Sequence, residues 1–419
     1  MYSDKSIRIM QVYRGFSTCV PRLAKQTTNA SGSVNKLLGR PSNNLSTGLV
    51  GLANVGKSTF FQALTKSTLG NPANYPYATI EPEKSIVLVP SEKLDHYSKL
   101  YQSSKTVPTN LTIWDIAGLT RNSSTGAGLG NKFLSDIRQV DGVLQVVRGF
   151  VDDEIIHIEE NKVDPVRDLV IVQDELILKD LEIIESEIER AKRMLRKPGD
   201  KKSVYEYQLQ VLDRLSDLLY EGKKVINGEW DEEEIDVING LNLLTAKPTV
   251  YLLNVSEEDY CLGSNEFYPQ VANWINTNCP EDKVIIFSAQ HERMLNELEG
   301  EELKEYKEMY PKESVIPSVV EEMRNVLHLI SFYTCGPIEA RQWTIRKGST
   351  APEAAGLIHT DLQKTFINAM VYKWQDLSKL QALDETKLKA SGKQHREGKK
   401  YIVEEGDVLL IKAAGGNAR

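Results

Sequence analysis

Cysteine is scarce: Cys19, Cys261, Cys279 and Cys335 are the only four in 419 residues, and no two form a C-x-x-C pair. That spacing offers neither a thiolate zinc site nor a disulfide framework, and it fits a reducing compartment. Long apolar runs are missing as well. None approaches the ~20 residues that a membrane helix needs, so no membrane contact is expected. An excess of positive charge is also lacking: the formal net charge is −8. This excludes wholesale wrapping of nucleic acid and leaves room only for local basic patches. No internal repeat is visible. What is present, 41% hydrophobic and 26% charged residues, is the balance of a folded chain of roughly three domains at ~150 residues each.

Acid is nearly absent from residues 1–45, where Lys5, Arg8, Arg14, Arg22, Lys25, Lys36 and Arg40 face Asp4 alone among many Ser, Thr and Asn. An arginine- and serine-rich, acid-poor leader is what an organelle transit peptide requires, since positive charge must follow a membrane potential. Ile7 to Val20 carries apolar residues beside Arg8 and Arg14, a pattern that permits an amphipathic helix. The leader therefore points to import into the mitochondrial matrix. The alternative is a disordered basic tail on a cytoplasmic protein.

A strand-like run, Leu45 to Leu52, opens onto Gly51-Leu-Ala-Asn-Val-Gly56-Lys57-Ser58, and Thr59 to Thr65 then reads as helix. This is G-x-x-x-x-G-K-[ST] in its required strand, loop and helix context. Backbone N–H groups around Asn54, Val55 and Gly56, with the helix start at Lys57, Ser58 and Thr59, are expected to cradle phosphate. Lys57 would reach the β- and γ-phosphates, and Ser58 would ligate Mg²⁺. Asn54 is placed to help hold a K⁺ ion or, alternatively, to support loop geometry. Further on, the strand Leu111-Thr-Ile-Trp114 ends in Asp115-Ile-Ala-Gly118. Asp115 is a second metal candidate, and Gly118 can offer its N–H to the γ-phosphate. Between the two motifs, Thr79 has the position of a switch threonine that folds onto Mg²⁺. The residue after Gly118 is Leu119, where Ras-like switches carry a water-orienting glutamine. Slow intrinsic hydrolysis is expected.

Base choice has two candidates. Asn161-Lys-Val-Asp164 is a literal N-K-x-D guanine motif, but it follows a polar stretch and precedes Pro165. A base-reading loop must instead end a buried strand beside the phosphate loop. Asn254-Val-Ser-Glu257 does so, following Pro248-Thr-Val-Tyr-Leu-Leu253. The later strand Val284-Ile-Ile-Phe ends in Ser288 and Ala289, which could close over the base. Here Val255 stands for the lysine and Glu257 for the aspartate. The extra methylene of Glu257 moves the carboxylate off the guanine edge and favours ATP over GTP.

At this point the chain resembles the Obg-like ATPases of YchF type, within the Obg branch of translation-factor P-loop proteins. The matching stretches are Gly48-LVGLANVGKSTFFQALT, Asn74-YPYATIEP, Asp115-IAGL, Gly126-AGLGNKFL, Val163-DPVRDL, Asn254-VSE, Trp343-TIRKGSTAPEAAGLIHTD and Tyr401-IVEEGDV, in family order from about Thr47 to Lys412. With the leader, the resemblance points to a fungal mitochondrial member. It implies an α/β fold: a P-loop NTPase, or Ras-like G domain, with an inserted antiparallel coiled-coil hairpin and a C-terminal β-grasp TGS domain. The implied activity is slow ATP hydrolysis, with GTP as a weaker substrate, in a ribosome-associated regulator of translation. Two positions depart from the family pattern. Ala53 replaces a common proline, and Gln145 replaces a histidine proposed to assist hydrolysis. Gln145 can orient water but cannot act as a general base near neutral pH.

The expected boundaries are a leader over 1–45, a nucleotide-binding domain over 46–330 and a TGS domain over 331–416, with the helical insertion at about 165–225. Within the insertion, Ile177, Leu181, Ile184, Ile188, Ala191 and Leu195 repeat at alternating spacings of four and three, the seam of a coiled coil. Val211, Leu212, Leu215, Leu218 and Leu219 supply the facing stripe. Arg190, Lys192, Arg193, Arg196, Lys197, Lys201 and Lys202 gather at the tip, a candidate surface for ribosomal RNA or a solvated hairpin end. A second basic patch runs through Lys387, Lys389, Lys393, Arg396, Lys399 and Lys400. His359 and Asp361 read as a loop-stabilising pair rather than a catalytic one. Two readings from outside this line stand beside it: a nucleotide-gated ribosome or RNA-binding module with little hydrolysis, and a GTPase using Asn161 to Asp164.

Overall fold

The computed structural model describes residues 36–67, 84–116, 128–152, 162–197 and 202–414. The chain enters β1 (Ser46–Val50), turns into α1 (Lys57–Lys66), and continues through β2 (Lys84–Leu88), α2 (Glu92–Leu100), β3 (Lys105–Val107), β4 (Asn110–Asp115), α3 (Gly128–Gln139) and β5 (Gly142–Arg148). Two long helices follow, α4 (Pro165–Leu195) and α5 (Lys202–Tyr220), then α6 (Glu232–Leu241) and β6 (Thr249–Asn254). Next come α7 (Glu257–Leu262), α8 (Tyr268–Asn278), β7 (Lys283–Phe287), α9 (Ala289–Glu297), α10 (Gly300–Met309) and α11 (Ile316–Val326). The C-terminal part is β8 (Leu329–Cys335), β9 (Glu339–Arg346), α12 (Ala351–Ile358), α13 (Thr360–Lys364), β10 (Phe366–Tyr372), α14 (Trp374–Leu377), α15 (Glu385–Ala390), β11 (His395–Glu397) and β12 (Val408–Ala413). Among the described residues, no helix is long and apolar enough to cross a membrane.

The first sheet has the order β2-β4-β1-β5-β6-β7, parallel except for β2. Its central strands are largely apolar because helices cover both faces, and every residue of β5 and β6 is buried, the polar Gln145, Arg148, Thr249 and Asn254 included. Parallel register aligns Leu49 of β1 with Asp115 and Leu144, and Arg148 of β5 with Asn254. All the loops that follow these parallel strands therefore emerge at one edge, where open α/β sheets place ligands.

The insertion is the expected hairpin. Asp164 caps α4, its carboxylate taking the Arg167 N–H at 3.1 Å, and Pro165 starts the helix where no donor is needed. Ile177, Leu181, Ile184, Val211, Leu212, Leu215 and Leu219 form one buried seam between α4 and α5. Asp180, fully buried in α4, anchors this arm to the sheet: it accepts from the N–H groups of Leu244 and Thr245 at 2.8 Å each and from the Thr245 hydroxyl at 2.7 Å.

The second sheet, β11-β10-β12-β8-β9-β3, is mixed, with α12 packed on its core as in a β-grasp fold. Its last strand comes from far away. The polar excursion α2–β3 leaves the first sheet between β2 and β4, and β3 pairs with β9. Tyr97 of α2, fully buried, donates to the Gly406 carbonyl at 2.7 Å and packs edge-on against Tyr333 and Trp374. His359 caps α13, accepting the Asp361 N–H at 3.2 Å in an exposed position, so this pair stabilises a turn.

Residues 36–45, which composition groups with the leader, are bonded to the folded body. Arg40 makes two 2.6 Å bonds to the Asp141 carboxylate, which also takes the Ser46 N–H at 2.8 Å. Gly39 and Leu37 bond with Asn239 of α6, and Leu38 packs against the arm seam. Asn43 and the Arg40 carbonyl both meet Arg346 of β9. Composition misled here because a strap held by polar groups looks like any other polar segment.

Replacing Asp180 with Ala leaves two backbone donors and a hydroxyl buried without an acceptor, a loss on the order of 3 kcal/mol. Thermal or urea unfolding should show it clearly. The exposed Lys36–Asp236 pair (2.5 Å) is the contrast, and Lys36→Ala should leave the unfolding midpoint unchanged.

Candidate functional site

The phosphate loop is built from strained backbone. Gly51 has φ +151°, Asn54 +61° and Gly56 +99°, so the chain reverses within six residues. Glycine is obligatory at both ends for steric reasons as well: a Cβ on Gly51 would meet the Val146 carbonyl at 2.4 Å, and one on Gly56 would meet Asn254 Nδ2 at 2.2 Å. Asn54 adopts the left-handed region that asparagine tolerates and lies exposed on the rim, while Val55 is buried beneath it. Helix α1 starts at Lys57 with no side-chain cap, so its first N–H groups and its partial positive charge face the loop.

Lys57 is buried, and its ammonium donates to the loop's own carbonyls, Gly51 O at 3.1 Å and Leu52 O at 2.6 Å. Burial pushes its pKa down to about 8, opposed by the nearby Asp115 carboxylate. Ser58, exposed in the first turn, donates to Asp115 Oδ2 at 3.3 Å. Thr59 follows, half-buried. A hydroxyl and a carboxylate oxygen converging beside a lysine form a hard donor set, and they fit Mg²⁺, which favours oxygen ligands.

The base side begins where β6 ends. Asn254 is buried, donates through Nδ2 to the Val55 carbonyl at 2.9 Å, and accepts the Ala289 N–H at 2.9 Å. One amide thus joins the phosphate loop to the β7–α9 turn. Val255 carries the ladder one step further, its N–H on the Phe287 carbonyl at 2.8 Å. Ser288 caps α9 by accepting the His291 N–H at 3.3 Å. Ser256 caps α7, and Glu257, half-buried, is the first residue of that helix. The rival motif is arranged differently. Its acid, Asp164, is committed to capping α4, and Asn161 lies outside the described residues.

The structure brings together Asn54, Val55, Gly56, Lys57, Ser58, Asp115, Asn254 and Ala289, with Glu257 and Ser288 on the adjoining helix starts. Thr79, Gly118 and Leu119 lie outside the described residues. Gln145 is apart. It is buried on β5, level with Val50 and Tyr251, one residue on from the Leu49–Asp115–Leu144 level. Alternation along the strand turns it to the sheet face opposite Asp115 and Asn254. No described hydrogen bond joins it to the phosphate loop.

Two residues of this region escape a motif search. Arg148, at the end of β5, is almost wholly buried, donates to the carbonyls of Phe150 and Asp152 at 3.1 Å each, and lies over the Phe150 ring at 4.6 Å. Burial lowers its pKa, with Asp152 opposing. Its signal was a lone cation closing the strand Val143-Leu-Gln-Val-Val-Arg148, in which Gln145 is the one other polar residue. Asn265, buried beyond α7, gave no sequence signal.

Comparison with known proteins finds relatives along most of the chain. The sequence family described as "50S ribosome-binding GTPase" matches residues 46–186, and the YchF-GTPase C-terminal family, described as "Protein of unknown function (DUF933)", matches residues 329–414. An Obg-like ATPase homolog of Saccharomyces cerevisiae is 51% identical over 397 residues, covering 91% of this chain and 98% of that protein. Obg-like ATPase 1 of Schizosaccharomyces pombe is 47% identical over 380 residues, covering 90% and 96%. The solved structure of the Schizosaccharomyces pombe YchF GTPase superposes with a TM-score of 0.82 at 44% identity, covering 90% of this chain and 100% of that one. At these identities over nine-tenths of its length, this chain belongs to the YchF/Obg-like ATPase family of P-loop nucleotide hydrolases.

Proposed function

We propose that the protein is a Mg²⁺-dependent ATPase, slow on its own, whose bound nucleotide governs its engagement with the ribosome. The observation that carries this reading is the Asn254 amide, which ties the phosphate loop to a strand end bearing N-x-x-E. Binding draws the Lys57 ammonium from the loop carbonyls to the β- and γ-phosphates, while the N–H groups of the loop and the start of α1 surround the same oxygens. Ser58 and Asp115 would hold Mg²⁺, joined by Thr79. When bound, the ion neutralises charge developing on the phosphate oxygens. Gly118 would offer its N–H to the γ-phosphate, and Asn54 would help hold a K⁺ ion beside the phosphates. Glu257 borders the base from the head of α7, set back from the guanine edge by its extra methylene.

The far-face position of Gln145 favours a second reading, a nucleotide-gated binding module with little turnover. Single-turnover hydrolysis with and without ribosomes separates the two. Hydrolysis in either condition supports the ATPase, and none in both leaves the gated module.

Shortening the base-side acid tests specificity. Glu257→Asp should move preference from ATP towards GTP by about tenfold, a shift of the size expected when one polar contact at a base edge is re-aimed. Equilibrium binding of both nucleotides reads it, and an unchanged ratio places the base elsewhere. Asp164→Ala should cost roughly 1 kcal/mol of helix stability while leaving nucleotide choice alone.

Lys192, Arg193, Arg196 and Lys197 are exposed at the described end of α4, whereas Arg190 is paired with Glu187 at 3.2 Å. In the second patch, Lys387 and Lys393 pair with Asp384 and Asp376, which leaves the arm the stronger candidate for ribosomal RNA. Replacing Lys192, Arg193 and Arg196 with Ala should weaken ribosome co-sedimentation. It should also lower the salt dependence of binding by roughly 0.7 per lost phosphate contact. Equal binding at every salt concentration rules the arm out.

The leader is assigned to mitochondrial import. Residues 1–35 fused to a fluorescent reporter should carry it into mitochondria, and a cytosolic reporter refutes the assignment.

A further inference from the structure

The two residues that border the base stand on different elements. Asn254 is fixed by the phosphate loop and Ala289, but Glu257 sits on α7, a helix of six residues capped by Ser256 at its start and Gly263 at its end. Beside the burial of Tyr260 in the core, a polar tie joins α7 to the end of the sheet through Asn265. The residue is 6% exposed. Nδ2 donates to the Gly149 carbonyl at 2.9 Å and to Asp259 Oδ2 of α7 at 2.7 Å, and Oδ1 accepts the Phe267 N–H at 3.0 Å.

These bonds close a circuit. Gly149 donates its N–H to the Asn254 carbonyl at 2.7 Å, and its backbone lies so near Leu253 that a Cβ would come within 2.8 Å of Cδ1. Asp259 in turn donates its N–H to the Ser256 hydroxyl, next to Glu257. A continuous path therefore runs from Asn254 through Gly149, Asn265 and Asp259 to the head of α7. Only a primary amide can donate twice and accept once at this point. A carboxylate there would face both the Gly149 carbonyl and the Asp259 carboxylate.

We propose that Asn265 is the positioning residue for base selectivity. By fastening α7 to the exit of β5, it sets the distance between the Glu257 carboxylate and the base edge. This rests on the assignment of Glu257 to the base. Helix α7 is also held independently of Asn265: the Tyr260 hydroxyl donates to the Glu313 carbonyl at 2.9 Å, and Lys312 donates to the Tyr260 carbonyl at 2.5 Å. Loss of Asn265 should therefore shift α7 rather than unfold it.

The test is the ratio of GTP to ATP dissociation constants for the full-length protein and for Asn265→Ala, Asp259→Ala and Glu257→Ala. Asn265→Ala should reduce that ratio by about five- to tenfold, with a thermal midpoint showing that the protein is folded. Asp259→Ala cuts the same tie from the other end and should move the ratio in the same direction, which keeps the test valid if the Asn265 variant does not fold. A merely structural role would weaken both nucleotides together and keep the ratio, which overturns the proposal. If Glu257→Ala shifts the ratio and neither of the other variants does, Asn265 has no part in selectivity. If none of the three shifts it, the base is not read at Glu257 and the proposal falls with that assignment.

Discussion

One side-chain amide holds the nucleotide end of this sheet together. Where parallel strands run out, their backbone groups lose ladder partners, and the loops that follow must be fixed by other means. Asn254 does this by donating to Val55 and accepting from Ala289 at the same time. An ionised aspartate, which only accepts, could not serve both. The amide also explains Gly56, since Nδ2 occupies the space a Cβ would need. Phosphate loop and base site are therefore a single cradle, and a residue that belongs to base recognition by motif is equally a support of the phosphate loop.

The opposite end of the sheet is braced by charge. Arg40, Asp141 and Ser46 lock the starts of β1 and β5. Asp180 fastens the arm to the loop before β6. Lys224, buried at the foot of the arm, donates to Asp282 at 2.7 Å and to the Tyr251 hydroxyl at 3.3 Å. The strap over residues 36–43 reaches the C-terminal sheet through Arg346, and α2–β3 completes that sheet with a strand of its own. Arm, first sheet and second sheet are thus referenced to one edge, while the phosphate and base loops occupy the other.

Much of this was legible in the sequence where local chemistry is restrictive. Gly51, Gly56, Lys57 and Ser58 identify a phosphate loop because few other residues can take those backbone angles and supply those donors. The seam from Ile177 to Ala191 is legible because a heptad permits little else. The guanine-like Asn161 to Asp164 was separable from Asn254 by asking which one ends a buried strand, and Asp164 turned out to be a helix cap. What could not be read depends on contacts distant in sequence. Nothing in residues 92–107 announces a strand for a sheet more than 200 residues away, and polar residues 36–45 carry no periodicity to mark them as folded. Gln145 lay between these extremes. The family position suggested a role at the phosphates, and only the strand register, which sets Leu144 level with Asp115 and Arg148 level with Asn254, assigns it to the other face.

The most direct measurement removes the base altogether. Inorganic tripolyphosphate has the phosphates of ATP and nothing for a base site to hold. If Asn254 supports the phosphate loop as its two bonds indicate, Asn254→Ala will weaken tripolyphosphate binding by roughly tenfold or more, the loss expected from two broken buried hydrogen bonds. Undiminished tripolyphosphate affinity, with ATP binding alone impaired, would contradict the single cradle and confine Asn254 to the base.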